Sequence, residues 1–523
     1  MTLKSLGTQA GWLVSRRSLF MLPALAAAPQ LGAQSRSNFL PTGLTGDGVT
    51  LDTHAIQAAI DRCTAAGGGS VVLPAGRYLT GTLRLRDHVT LVLEAGAVLL
   101  GSTRLEDYPI LHDAISSFTS TYTDRCLIRA DGASDIAITG AGTIDGNGTA
   151  FAGKYKVRPF LMRFVGCHGV HVTGITLQNP AMWTQHYLEC QDVLIEGIRV
   201  RSRRARVNND GIDVDSCQRV RIANCDIDAG DDAIVLKATT NSPCRDVVVT
   251  NCILSTLCNA FKLGTESNGG FDNIVFSNSS IYDTQLAGIA LETVDGGNLG
   301  RVNISNIVIR NTRYPIFLCL GNRARPVTEN APRPGIAAFS GVMIRGVIAE
   351  ASSPFGCLIA GLPDHPIEDV VLDDIQLTTT GGGVPFQADQ QVPERPDAYP
   401  EAHMFGPLPA SGLYCRHVRG LSLSRIVLRT SRPDLRPVLV ADDAENLTVS
   451  NLSGPATGNP LIELHNVRHA RIRETRTSGS EQALLSMSGS ETQDISVAPD
   501  QEETPRILSS PDVSAKAWRL KEH

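Results

Sequence analysis

Two short strings in the middle of the chain concentrate carboxylates: NNDGIDVDS at 208–216 and AGDDAIVLKA at 229–238. Aligned on their apolar pairs, Ile212/Val214 and Ile234/Leu236, they bring Asp210 level with Asp232 and set Asp231 beside it. Like charges held close together oppose one another's ionisation, so one carboxyl keeps its proton at a pH where its neighbour has lost it. Such a pair can donate a proton to a leaving oxygen while a second carboxylate positions or deprotonates water. Hydrolysis of a glycosidic bond requires that division of labour. A single Asp is more often a turn residue than a catalytic one. Three converging in register reverse that balance.

The alignment extends to two further apolar pairs, Phe261/Leu263 and Ile289/Leu291. Two positions before each pair runs the column Asp210, Asp232, Asn259, Ala287; the outward positions give Asp213, Val235, Lys262, Ala290 and then Asp215, Lys237, Gly264, Glu292. Asn259, Lys262, Lys237, Glu266 and Glu292 are therefore expected in one groove with the aspartates, as substrate-binding groups. The alternative is a solvated charge ladder, since isolated surface pairs contribute little. One coil earlier, PAMWTQHYLEC at 180–190 adds Trp183 and His186. Trp183 is expected to stack on a sugar face, against the alternative of packing in the wall.

These residues need a scaffold that repeats every 27 residues or so. IANCDI, VTNCIL, FSNSSI and ISNIVI carry Asn224, Asn251, Asn278 and Asn306 at one position, with Gly174 and Gly197 standing there upstream. Each segment alternates apolar and polar residues, the period of a strand with one buried face. A unit this short cannot bury its apolar face alone, so units must stack. The predicted fold is all-β, a single-stranded right-handed parallel β-helix over 34–498, with in-register residues on adjacent coils about 4.8 Å apart. The recurring asparagines are expected to bond to their copies above and below. Residues 52–65 form the one credible helix, with Ile56, Ile60 and Cys63 on one face and Asp52 or Thr53 as N-cap. It is expected to cap the N-terminal end of the stack. Residues 379–412 read as a long loop between coils, and 499–523 as a polar tail.

The chain has 523 residues, 42% of them hydrophobic and only 5% aromatic, which suits short turns and an aliphatic core. No basic tract stands out, which argues against a nucleic-acid partner. Residues 1–33 read as a twin-arginine-type export signal, with SRRSLF at 15–20 followed by a short apolar run. That run is too short to span a bilayer. Its removal deletes Lys4, Arg16 and Arg17 and takes the formal charge from −6 to −9. The mature protein is thus expected to be secreted or periplasmic, off the membrane and monomeric. Among the 12 cysteines no Cys-x-x-Cys pair or zinc-spaced cluster occurs, so no metal or cofactor is expected. Cys225 and Cys252, each after a recurring Asn, read as buried free thiols.

At the aspartate strings the sequence resembles the polygalacturonase family of glycoside hydrolases, family 28. That family's pattern is Asn-Thr-Asp-Gly, then Gly-Asp-Asp, then Gly-His-Gly, then Arg-Ile-Lys. Here Asn208-Asn209-Asp210-Gly211 and Gly230-Asp231-Asp232 match the first two, and Trp183 and His186 fall in a segment resembling the family's Pro-x-Trp-Thr-x-His. The likeness covers residues 40–325 well. It implies an inverting attack on a pectin-like polysaccharide, with Asp231 protonating the leaving oxygen and Asp210 and Asp232 holding the water. Two departures stand out: the family's His falls at Asn259, and its Arg-Ile-Lys at Ala290-Leu291-Glu292. The Arg and Lys normally receive a uronate carboxylate, so their loss implies a substrate other than plain galacturonan. Competing readings are a calcium-dependent, pectate-lyase-like elimination using Asp213 and Asp215, and a non-catalytic glycan-binding β-helix. The signal generates the first prediction: Arg16→Lys with Arg17→Lys should trap the precursor in the cell, and N-terminal sequencing should find the exported chain beginning near Gln34. An exported chain still starting at Met1 would refute the cleavage.

Overall fold

A computed structural model describes residues 37–520, except 113, 116, 152, 154, 203–207, 386–390, 456–458, 476–481 and 499–504. The expected export signal lies outside the described residues. The rest is a parallel β-helix whose coils present three faces. Around the aspartates the first face stacks Gln185–Leu188, Ile212–Asp215, Ile234–Ala238 and Phe261–Ser267 in parallel. The second stacks Gln191–Glu196, Gln218–Ala223 and Cys244–Thr250, and the third Arg199–Arg201, Asp226–Ala229 and Ile253–Thr256. The next strand, Phe271–Thr293, runs round all three faces. Inside, like sits on like: Ile195, Ile222, Val249 and Phe276 form one fully buried column. Each such side chain contributes about 1.5–3 kcal/mol on burial.

The expected period is present, but its asparagines act differently from expectation. Asn224, Asn251, Asn278 and Asn306 all have φ between 51° and 58°, and Gly174 and Gly197 hold the same position at 74° and 63°. Asparagine and glycine tolerate this left-handed conformation better than other residues. An amide ladder forms at one step, where Asn306 Nδ2 donates to Asn278 Oδ1 at 3.1 Å. Asn224 donates to Glu196 instead, and Asn278 to Thr250. Backbone conformation, not side-chain stacking, selects the residue. Immediately after two of these turns, the buried Cys225 and Cys252 thiols donate to the carbonyls of Ala223 and Thr250 at 3.2 and 3.3 Å.

The helix spans Thr53–Ala65 and buries Ile56, Ala59, Ile60 and Cys63. Neither proposed cap side chain caps it. Asp52 occupies the N-cap position, but its carboxylate accepts from Thr45 and Gly46 N–H, and Thr53 Oγ1 accepts from Gly81 N–H. Both side chains tie the helix entry to the neighbouring coils. At the other end, the expected polar tail instead supplies strands Ile507–Ser509 and Trp518–Leu520, which pair in parallel with the preceding coil.

Between Thr379 and Leu413 no strand joins the stack among the described residues, and part of the segment packs on the outside of the coils. Ala402, Phe405 and Leu408 cover Ala290, Phe317, Leu358 and Tyr414 in an apolar cluster separate from the core. Buried Arg416 donates to the carbonyls of Val392 and Pro393 at 2.8 and 2.6 Å and lies over the Phe405 ring. The turn analysis generates a stability prediction. Asn251→Gly should leave the denaturation midpoint near that of the parent, whereas Asn251→Val should lose about 1–2 kcal/mol to left-handed strain. Equal losses in the two variants would assign the position to the amide's hydrogen bonds instead.

Candidate active site

The expected register is observed: Ile212 pairs with Ile234, Ile234 with Phe261, and Phe261 with Ile289. Gly211 lets adjacent coils close at the aspartates, because a Cβ there would meet Ala233 O at 2.4 Å. Its N–H donates to Asp232 O at 2.9 Å. Asn209 secures the other side, donating to Pro180 O and Met182 O. Asp210, Asp231 and Asp232 therefore meet at one cavity of about 510 Å³.

Their surroundings separate them chemically. Asp231 is partly exposed; its carboxylate accepts from the N–H groups of Asn208 and Asp232 at 2.9 and 3.0 Å. Burial, reinforced by the Asp232 charge, raises its pKa. Asp210 is buried, and its Oδ1 has no hydrogen-bond partner. Burial and then Asp213 and Asp231 push its pKa well up. Asp232 goes the other way. Burial alone would raise its pKa, but the ammonium groups of Lys262 and Lys237 and the Asn259 amide outweigh it. Asp232 Oδ1 accepts from Asn259 N and Nδ2 at 3.1 and 2.8 Å, and its Oδ2 lies 3.2 Å from Lys262 Nζ.

The expected binding residues divide. Lys237 and Glu266 line the cavity, paired at 3.2 Å. Trp183 also lines it, but Lys237 Nζ sits 5.0 Å from its ring centroid and takes that face, while Phe160 and Tyr122 pack against the ring. It belongs to the wall rather than to an open stacking platform. Asn259, Lys262 and Glu292 are buried and do not line the cavity. Asn259 is absorbed in the turn, holding Asp232 on one side and accepting from Ala287 N–H on the other. Lys262 lies 3.7 Å from Glu292, whose pKa burial lifts to about 8. His186 is fully buried, its Nε2 3.2 Å from Asp215. It supports the coil and does not reach the cavity.

Other lining groups arrive from outside the aligned coils. Phe118, Tyr122 and Tyr155 come from segments between earlier strands, Arg325 from the stretch after Leu320, and Tyr399 and Glu401 from the long loop. Arg325 pairs with Glu266 and lies over the Phe118 ring. The sequence marks 379–412 as a long loop, but no local pattern singles out which of its residues face inward.

Asp231, Asp232 and Cys258 each bring one potential ligand atom within 4.8 Å of the others. Lys262 already neutralises Asp232 from 3.2 Å, which disfavours a cation there. The acids invoked for elimination are likewise engaged. Asp215 accepts from Thr239 N and Oγ1 at 2.9 and 2.6 Å, and Asp213 faces Lys237 at 3.7 Å. Farther back in the Asp213 column the register places Arg84, Arg129 and Arg163, which the four-coil alignment did not reach. Arg129 and Arg163 are buried, and Arg163 packs over Phe160. The cavity thus assembles groups suited to acid–base hydrolysis.

Comparison with known proteins agrees. Residues 63–394 match the glycosyl hydrolases family 28. A probable polygalacturonase from Vitis vinifera is 27% identical over 362 residues, covering 64% of this chain and 72% of its own. Exopolygalacturonase B of Aspergillus niger is 26% identical over 281 residues, 49% of this chain and 64% of its own. The family 28 exopolygalacturonase of Yersinia enterocolitica shares the fold with a TM-score of 0.59 at 20% identity, covering 90% of this chain and 79% of its own. With the match spanning most of the β-helix and the aspartate site inside it, the chain belongs to glycosyl hydrolase family 28 as a polygalacturonase-like glycosidase.

Proposed function

We propose that the protein hydrolyses glycosidic bonds of a pectic polysaccharide by inversion, with Asp231 as general acid and Asp232, helped by Asp210, as the water-activating base. The observation that carries this reading is the splitting of proton affinities within one cavity: Asp231 and Asp210 up, Asp232 down. Those directions suit Asp231 to giving a proton and Asp232 to receiving one. Inversion leaves room for water and sugar between acid and base, commonly about 6.5–9.5 Å. An oxygen of Asp231 and one of Asp232 lie within 4.8 Å of each other, closer than that range, so inversion rests here on the family resemblance and not on their spacing.

The substrate reading changes its footing. Glu292 was expected among the substrate-binding groups of the groove, but it is buried against Lys262. The cations that line the cavity are Lys237 and Arg325, and both are engaged by Glu266, while Glu401 adds a further acid. A uronate entering here finds its counter-charges already used, and an uncompensated charge in a partly desolvated site costs several kcal/mol. Tyr122 and Tyr155, 4.9 Å apart, offer apolar faces to a sugar ring. A pectic chain presenting a neutral sugar such as rhamnose in the cavity fits best.

Two outcomes follow. Asp231→Asn should fold normally and lose about 10²–10⁴-fold in turnover, the usual range for a general acid; near-parental turnover would remove the assignment. On matched oligosaccharides, the one with a neutral sugar at the cavity should exceed polygalacturonate in kcat/KM. A preference for polygalacturonate of about tenfold, roughly 1.4 kcal/mol in the transition state, would overturn the substrate reading.

A further inference from the structure

Lys262 has the least ordinary surroundings of any charged group near the site. It is 1% exposed, does not line the cavity, and approaches Asp232 Oδ2 at 3.2 Å from behind. Its other neighbours are Glu292 Oε2 at 3.7 Å and the Tyr399 hydroxyl at 3.5 Å. Burying an ammonium is costly unless an anion shares its site. Two carboxylates compete for that role here, and Glu292 Oε2 has no hydrogen-bond partner.

We propose that Lys262 is a positioning residue: from beneath the cavity, beyond the reach of substrate, its ammonium holds the water-activating Asp232 in place and ionised. The inference rests on the assignment of Asp232 as base given above. Three carboxyl groups, those of Asp210, Asp213 and Asp231, face Asp232, and each opposes that state once it loses its own proton. The Cys258 thiol also adjoins it, and Lys237 assists from the cavity side but divides its charge among Glu266, Asp213 and Asp210. Lys262 is not divided in the same way. Glu292, which faces Asp232 and Glu401 as well as Lys262 and Arg323, retains its proton up to about pH 8 because it is buried. Asp232 is also the nearer of the two carboxyl groups to the ammonium, at 3.2 Å against 3.7 Å. The half-exposed Tyr399 covers that ammonium from the long loop.

The sign of the pH effect follows. A base with a lowered pKa stays active as pH falls; removing the cation that lowers it moves the acid limb of kcat/KM to higher pH. In Lys262→Met, activity relative to the parent should therefore fall progressively as pH is lowered, and a carboxylate pKa displaced by about one unit brings that further loss to about tenfold once pH lies below both pKa values. The loss should fall in kcat with KM little changed, and Lys262→Arg, which keeps the charge, should restore the limb. If Lys262→Met fails to fold, Lys262→Met/Glu292→Gln removes the buried pair together, and the same limb is read. A folded variant whose acid limb coincides with the parent's overturns the proposal, as does a loss confined to KM on charged oligosaccharides, the mark of a direct substrate contact. Asp232→Asn separates the two levels. If it retains turnover, the base assignment itself fails; if it is inactive while the Lys262→Met limb is unmoved, only the role of Lys262 fails.

Discussion

The stacking of parallel coils in fixed register governs everything else in this molecule. Strands about 4.8 Å apart place each side chain directly over its counterpart. For apolar residues this is favourable, and the column Ile195, Ile222, Val249 and Phe276 is its direct product. For charged residues it is a problem, since like charges at this spacing repel. The chain responds by mixing signs along the first face: Asp215 lies beneath Lys237, and Lys237 pairs in turn with Asp213 and Glu266. Burial, the repulsion left over among Asp210, Asp231 and Asp232, and the ammonium groups beside Asp232 together spread their proton affinities. Catalytic potential here is a residue of imperfect neutralisation.

Much of this was legible in the sequence because it is periodic. A repeat near 27 residues, with apolar alternation inside it, dictates parallel stacking, and stacking dictates that Asp210 and Asp232 meet. What was not legible depends on segments outside the repeat. Lys262 and Glu292 occupy outward positions, and outward ordinarily means solvent. The long loop covers them, and its docking depends on small or apolar residues such as Ala290 and Phe317 on the same face. Ala290 stands where the resemblance would place an arginine; here it is part of the loop's seat. His186 was misplaced for a similar reason, since Trp183 and Phe160 pack over it.

The turn asparagines show how a correct pattern can carry an incorrect cause. Their spacing marks the coil length, and the spacing is real. Glycine at Gly174 and Gly197 already indicated a backbone requirement, because glycine has no amide to stack. A residue type shared with glycine at one position points to φ before it points to hydrogen bonds.

The excursion between Thr379 and Leu413 has a consequence for how such an enzyme diversifies. It leaves at the end of the third-face stack and rejoins the first without altering the pairing of Cys357–Ala360 with Leu413–Arg419 on the next coil. Loop closure entropy grows only slowly with length, so insertions and deletions there are thermodynamically mild. The segment delivers Tyr399 and Glu401 to the cavity, yet none of the three aspartates depends on it for backbone position. Substrate preference and bond-breaking chemistry are thus encoded in separable stretches of chain. A single exchange of this excursion could retune the one while the coils that carry the other stay in register.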